Sequence, residues 1–112
     1  MKTASEVEAL GALAQETRLA VFRLLVAQPP GGLPAGLIAE RAQVAPSSLT
    51  FHLQHLVRAG LVTRRRAGRQ IFYAADHGTV DRLISYLTDN CCGRGTAGLC
   101  GQDAVAPAEQ AA

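Results

Sequence analysis

All three cysteines of this 112-residue chain lie within ten positions of one another, near its carboxyl end. Cys91 and Cys92 are adjacent, and Cys100 follows in a stretch of glycines and other small residues. Structural zinc takes four ligands and hard cations prefer oxygen, whereas As(III) and Sb(III) are soft centres that three thiol sulfurs satisfy. The residue types therefore predict a three-cysteine site for As(III) or Sb(III), with Cys91, Cys92 and Cys100 as ligands.

Glycines separate the cysteine pair from the third cysteine. If the last helix persists to Cys91, that residue extends the apolar stripe of Leu87, four positions earlier. Glycines beyond the pair can end the helix and let the chain curl back toward it; they are Gly93, Gly95 and Gly98. We therefore expect residues 93–100 to form a flap that completes the thiol site.

The same thiols are open to other chemistry. Cys91 or Cys92 could pair with Cys100 on oxidation, two thiols would suffice for an organoarsenical, and another soft metal ion could bind. The thiols could also be incidental.

A structural disulfide is not expected, because the number of cysteines is odd and all of them lie near one end of the chain. A thiol enzyme would need an activated cysteine at a helix amino terminus or in a CxxC motif. Neither is present, so we expect no enzyme and no organic cofactor.

The charge of the chain is unevenly distributed. Residues 41–75 contain six arginines and no Asp or Glu, whereas the rest of the chain carries five basic and nine acidic residues. Such a basic segment favours a polyanionic partner. Nucleic acid is favoured over a membrane, because no amphipathic anchor accompanies the arginines.

Apolar spacing predicts a helical amino-terminal half. Four helices are predicted, over residues 5–14, 16–28, 34–42 and 46–60. Pro34 and Pro46 suit the first turn of a helix, and Gly60 suits a helix end. The short connections between these helices predict an all-helical core.

After Gly60 the apolar period changes from helical to alternating. Residues 61–66 and 69–75 predict two antiparallel strands joined by a tight turn at Ala67-Gly68. A last helix is predicted over residues 79–90 and runs into the cysteines. The expected fold class is mainly α with a small β-hairpin, with one domain over residues 1–92 and a disordered tail over residues 101–112.

The helix that Pro46 opens has two distinct faces. Its leucines, Leu49, Leu53 and Leu56, fall on one side, and hydroxyl, amide and guanidinium groups fall on the other. Phe51 lies on the polar side, where it could contact a thymine methyl or fold back on a neighbouring helix. His52 is expected to be packed and hydrogen-bonded. The predicted DNA-binding residues are Ser47, Ser48, Thr50, Phe51, Gln54, His55 and Arg58 of this helix and Arg64, Arg65, Arg66 and Arg69 of the hairpin.

A helix, a turn, a reading helix and a basic hairpin form a winged helix-turn-helix arrangement. From Leu13 to Asp76 the chain resembles the ArsR/SmtB family of metal- and metalloid-responsive repressors. The resemblance lies in three blocks, which are ALAQETRLAVFRLL, APSSLTFHLQHLVRAGLV and RRRAGRQIFYAA. It implies a homodimer joined by the first and last helices, which binds a palindromic double-stranded operator and leaves it when a metal or metalloid binds.

Members of this family differ in where the inducer binds. Many arsenic responders carry cysteines at the helix before the reading helix, where this chain reads GLPAGLIAER and has none. Zinc responders use Asp and His pairs along the last helix, and this chain has no second histidine there; its candidates are Asp76, His77, Asp81 and Asp89. Other arsenic-responsive members are similar to this chain in carrying vicinal cysteines and a third at the end of the last helix.

The amino terminus, MKTASEVEAL, lacks the apolar core of a secretory signal, and no apolar run reaches 18 residues. We therefore expect a cytoplasmic repressor with no membrane partner.

Overall fold

The computed structural model describes residues 3–89 of the chain. Its helices and strands are α1 (Thr3–Leu13), α2 (Glu16–Val26), β1 (Leu33–Pro34), α3 (Ala35–Ala42), α4 (Pro46–Arg58), β2 (Val62–Ala67), β3 (Gln70–Ala75) and α5 (His77–Leu87). The predicted fold class, mainly helical with a small antiparallel sheet, is confirmed. The chain divides into two compact units after Val80.

The core of the first unit forms where the apolar faces of α2, α3 and α4 meet the sheet. Its largest fully buried aliphatic side chains are Val21, Leu25, Ile38, Leu49, Leu53, Leu56, Leu61 and Val62. Removing one such side chain from water contributes about 1.5–3 kcal/mol. The three leucines of α4 recur at intervals of four and three residues, so a single face of the helix is anchored and the opposite face is left to solvent.

The turn between α3 and α4 depends on one unusual backbone conformation. Gln43 ends α3 in the left-handed region with φ of 58°, and its N–H donates to the carbonyl groups of Ala39 and Glu40. The chain then passes through Ala45 in an extended conformation, and Pro46 occupies the first turn of α4. At the other end of α4, Gly60 has φ of 82°, as expected for a glycine that ends a helix.

The sheet has three strands in the order β1-β3-β2, one more than the sequence predicted. Leu33 pairs with Tyr73 and Pro34 with Phe72. The prediction that Pro34 lies in the first turn of a helix is wrong, because Pro34 is extended and precedes α3. Proline is tolerated there because β1 is an edge strand.

The hairpin turn lies one residue later than predicted. Because Ala67 pairs with Gln70, the two loop residues are Gly68 and Arg69 rather than Ala67 and Gly68. Gly68 has φ of 65°, the conformation that a type II′ turn requires at its first loop position. Arg69 is therefore at the tip of the hairpin.

Gly32 allows the loop before β1 to pack against the sheet. Its φ is 78°, and a Cβ atom at this position would overlap the carbonyl oxygen of Tyr73. Only glycine satisfies both requirements without displacement of β3.

The last helix begins earlier and ends earlier than the predicted range of 79–90. Its start is capped by Asp76, whose carboxylate Oδ1 accepts the N–H of Thr79 at 3.2 Å. Beyond Leu87, the Thr88 hydroxyl donates to the Ile84 carbonyl at 2.8 Å, and the Asp89 N–H bonds to Tyr86, three residues back. The α-helical hydrogen-bond pattern thus ends before Asp89, which corrects the expectation that the helix runs on to Asn90.

Candidate nucleic-acid interface

The outward face of α4 is polar and open to solvent. The exposed side chains are Ser47, Ser48, Thr50, Phe51, Gln54 and Arg58, and His55 is half-buried. The residue before the helix, Ala45, supplies no side-chain cap to the first amide groups of α4. Those N–H groups and the serine hydroxyls give the start of the helix several donors, and a helix amino terminus favours negative charge.

Two side chains on this face have defined surroundings. The Thr50 hydroxyl donates to the Pro46 carbonyl at 3.1 Å, so its oxygen is presented to solvent chiefly as an acceptor. Phe51 is 66% exposed, and its ring makes an edge-type contact with the ring of His52, with the centroids 6.2 Å apart. Phe51 therefore does not fold back on a neighbouring helix, which was one of its two expected positions.

The histidines of α4 lie beside Arg18 of α2. His52 is half-buried, and its Nδ1 lies 3.5 Å from the Arg18 Nη1 atom, so the expected packed and hydrogen-bonded role is confirmed. The pKa of His55 is lowered because partial burial disfavours the imidazolium, and the positive charges of Arg18 and Arg58 and the neighbouring His52 add to the effect. Glu8 opposes this shift. His55 is thus held toward its neutral form in the free protein.

The β2–β3 hairpin, residues 62–75, is the wing. Its four arginines are all exposed, but they occupy different parts of the hairpin. Arg64 pairs with Tyr73 and Arg66 with Ile71, which places both on the sheet face that carries the buried Tyr73. Arg65 lies on the opposite face with Phe72, and Arg69 is in the turn. The sequence predicted one DNA-binding role for all four arginines. The strand register instead places them on two faces of the sheet and in the turn.

Arg65 also has protein partners. Its Nη2 donates to the Gly31 carbonyl at 3.2 Å, and its guanidinium lies over the Phe72 ring, 5.0 Å from the centroid. A guanidinium over an aromatic face is a cation–π contact. Arg65 therefore ties the wing to the loop that precedes β1, in addition to contributing positive charge.

The structure brings together one residue set that sequence reasoning missed. Arg18 lies in the first turn of α2, where the sequence shows only one more arginine in a helical stretch. No local pattern places it beside His52, 34 residues away. Its positive charge is added to that of Arg58 around His55.

The predicted thiol ligands, Cys91, Cys92 and Cys100, lie outside the described residues, as does the flap over residues 93–100. Within residues 3–89, no group of three or more His, Cys, Asp or Glu side chains is arranged to hold a metal ion. In the same part of the chain, no helix is long and apolar enough to cross a bilayer.

Comparison with known proteins places this geometry among transcriptional regulators. A helix-turn-helix domain family matches residues 13–65. The transcriptional activator HlyU of Vibrio cholerae is 32% identical over 85 residues, which are 76% of this chain and 76% of HlyU.

Solved structures give the same result. An ArsR-like transcriptional regulator from Rhodococcus sp. RHA1 superposes with a TM-score of 0.69 at 27% identity, over 75% of this chain and 76% of that one. The homodimeric winged helix-turn-helix DNA-binding domain of Mb0332 from Mycobacterium bovis has a TM-score of 0.64 at 27% identity, over 76% of each chain. A possible transcriptional regulator for arsenical resistance has a TM-score of 0.62 at 29% identity, over 71% of this chain and 80% of that one.

Proposed function

From the premise that the chain belongs to the ArsR family of winged helix-turn-helix, DNA-binding transcriptional regulators, we propose that it is a repressor. In this proposal a homodimer binds a palindromic operator through α4 and the β2–β3 wing. Binding of As(III) or Sb(III) at the three cysteines releases the dimer from DNA.

The proposal that α4 reads DNA rests on the polar, exposed face of this helix. Three buried leucines hold one side of the helix, so Thr50, Gln54 and Arg58 are presented together on the other. Hydroxyl, amide and guanidinium groups are those that bond base edges in a major groove, and an α-helix fits that groove. Exposed arginines of the wing, Arg64 and Arg66 among them, supply phosphate contacts, which set affinity but not sequence choice.

Dimerisation is supported by apolar side chains that the first unit leaves in solvent. Val7 and Leu10 of α1 are 62% and 40% exposed, and Leu19 of α2 is 43% exposed. Taken by itself, α5 also has exposed apolar side chains, Ile84 and Leu87. Two copies of one reading helix match two operator half-sites about one helical turn apart. Mb0332, a structural neighbour, is described as homodimeric.

The inducer proposal rests on the chemistry of the donor set. Helix α5 ends at Leu87, and only residues 88–90 separate it from Cys91 in the chain. Arsenite can exchange its three hydroxyl groups for three thiols with loss of water, which suits Cys91, Cys92 and Cys100. A coupling free energy of about 1–3 kcal/mol between inducer and operator would lower DNA affinity about 5- to 150-fold.

A second candidate function uses the same residues without a metalloid. Oxidation could join Cys91 or Cys92 to Cys100 and change DNA affinity in the same way. The crowding of every cysteine into one decapeptide favours this alternative as well. An organoarsenical or another soft metal ion remains a further inducer for these thiols.

The test begins with selection of a duplex from a random pool by the reduced wild-type protein. The complex of the protein with this duplex is then titrated with arsenite, antimonite, cadmium and zinc, and separately with hydrogen peroxide. Release of the duplex is measured in each titration. Release by arsenite or antimonite under reducing conditions supports the metalloid proposal. Release by peroxide but by no soft ion would replace it with the redox alternative, and failure to enrich a palindromic duplex would contradict the operator model.

A further inference from the structure

Arg18 joins three helices at one point. From the first turn of α2, its Nε donates to the Ala12 carbonyl in the last turn of α1 at 2.7 Å. Its Nη1 reaches the Nδ1 atom of His52 on α4 at 3.5 Å. The Gln15 side chain caps α2 by accepting the backbone N–H of Arg18 at 2.8 Å. The backbone of Arg18 is therefore fixed at the start of α2, while its guanidinium contacts α1 and α4.

The chemistry of the pair sets which atom donates and which accepts. A guanidinium has five N–H donors and no acceptor, so Nδ1 of His52 must be the acceptor. On the other side, the Ala12 carbonyl is among the last acceptors of α1, where the helix dipole is negative. Neither of these partners of Arg18 is a carboxylate, so the contact depends on geometry more than on charge pairing.

His52 is well placed to control the rotation of α4. It lies next to the exposed Phe51 on one side and the fully buried Leu53 on the other. A fixed His52 therefore fixes the direction in which Thr50 and Gln54 leave the helix. Base contacts in the major groove need that direction to be defined, because each depends on hydrogen bonds of narrow geometry.

We infer that Arg18 is a positioning residue for DNA reading, which acts by holding His52, and with it α4, against the end of α1. This inference rests on the proposed DNA binding by α4. Arg18 itself need not touch DNA.

The experiment uses the full-length reduced protein and the duplex selected from a random pool by the wild type. Five variants are compared, R18M, H52L, the double variant R18M/H52L, H52N and the control R23M. Met keeps the aliphatic stem of Arg18 without its donors. Asn at position 52 offers an amide oxygen near the place of Nδ1. Arg23 is an exposed arginine on the same helix, so R23M removes one charge from α2 without removing the contact.

Dissociation constants are measured by fluorescence anisotropy over a range of salt concentrations, and unfolding in urea is followed for each variant. We expect R18M and H52L each to weaken binding about 5- to 30-fold, similar to the loss of one base contact. The double variant should be no more than about threefold weaker than either single variant, because both remove one contact. H52N should bind within about threefold of the wild type.

The salt dependence separates positioning from direct phosphate contact. A positioning residue leaves the slope of log Kd against log salt unchanged, whereas losing a phosphate contact lowers it by about one. A lowered slope for R18M, additive losses in the double variant, or wild-type affinity of both single variants would each overturn the inference. Position 52 is only half-buried, so H52L and H52N keep the test decisive if R18M does not fold. If no duplex is enriched, the proposed function falls and this inference with it; if one is enriched and all variants bind it equally, only this inference falls.

Discussion

The guanidinium of Arg65 lies over the ring of Phe72, with 5.0 Å between the guanidinium carbon and the ring centroid. These residues are cross-strand partners in the wing, and Arg65 also donates to the Gly31 carbonyl. The wing thus contains one arginine with protein partners on one face of the sheet and two, Arg64 and Arg66, on the other. The arginines on the two faces should therefore contribute differently to DNA binding.

We expect Arg64→Ala and Arg66→Ala to weaken binding to all duplexes by similar factors, because phosphate contacts carry no sequence information. Each should lower the salt slope of log Kd by about one. Arg65→Ala should instead lower the free energy of unfolding by about 0.5–1.5 kcal/mol through the lost hydrogen bond and cation–π contact. Anisotropy titrations over several salt concentrations and urea unfolding distinguish the two classes. Equal slopes for all three variants and the wild type would contradict phosphate binding by the wing.

Gln54→Ala should relax sequence choice at one base pair in each half-site. An amide that forms two hydrogen bonds with adenine discriminates against other bases by about 1–3 kcal/mol. In Gln54→Ala, the difference in binding free energy between the preferred duplex and one substituted at that base pair should shrink by about this amount. The salt slope should stay at its wild-type value, since no phosphate contact is lost. Competition between duplexes that differ at single positions measures the change. If Gln54→Ala weakens all duplexes alike, its side chain does not read a base.

Gly32→Ala should destabilise the protein by about 2–4 kcal/mol, the size expected for a strained left-handed backbone combined with a steric clash. The added methyl group would overlap the Tyr73 carbonyl, which forces apart the loop and β3. Gly31→Ala is the matched control, because a Cβ there meets no atom within 4 Å. Urea unfolding of both variants is the measurement. Equal stabilities would show that β1 is not held in this position.

DNA binding should tighten as the pH falls from about 7.5 to 5.5, the range in which histidines change charge. The pKa of His55 is lowered in the free protein, and a nearby phosphate would raise it, so the complex binds more protons than the free protein. Affinity should accordingly fall as the pH rises through this range. His55→Gln should reduce this pH dependence. An unchanged dependence in His55→Gln would exclude phosphate contact by His55.

Single Cys→Ser substitutions at positions 91, 92 and 100 should leave affinity for the selected duplex at its wild-type value. Each should weaken the response to arsenite, because a three-thiol pyramid loses one bond. The arsenite concentration that releases half of the DNA measures this for each variant. A normal response in Cys100→Ser would indicate a two-thiol site, which is better suited to an organoarsenical that already has one bond to carbon.

Much of the proposed DNA-reading surface follows from patterns within short segments of the sequence. The spacing of Leu49, Leu53 and Leu56 selects the buried face of α4, and this also determines which residues face solvent. Pro46 and Gly60 mark its ends, and the change to alternation after Gly60 indicates the hairpin. These signals work because helix and strand periods are local properties of the backbone.

Other features were decided only by the tertiary structure. Strand β1 is two residues long and has no pattern of its own, and it exists because Leu33 meets Tyr73, forty positions later. The contact between Arg18 and His52 and the bond from Arg65 to Gly31 each join residues 34 positions apart. The sequence by itself determined which side chains of α4 face solvent and are predicted to read DNA, since amphipathic periods are local. Which of them are held by partners was determined by the packing of distant segments, which no local period records.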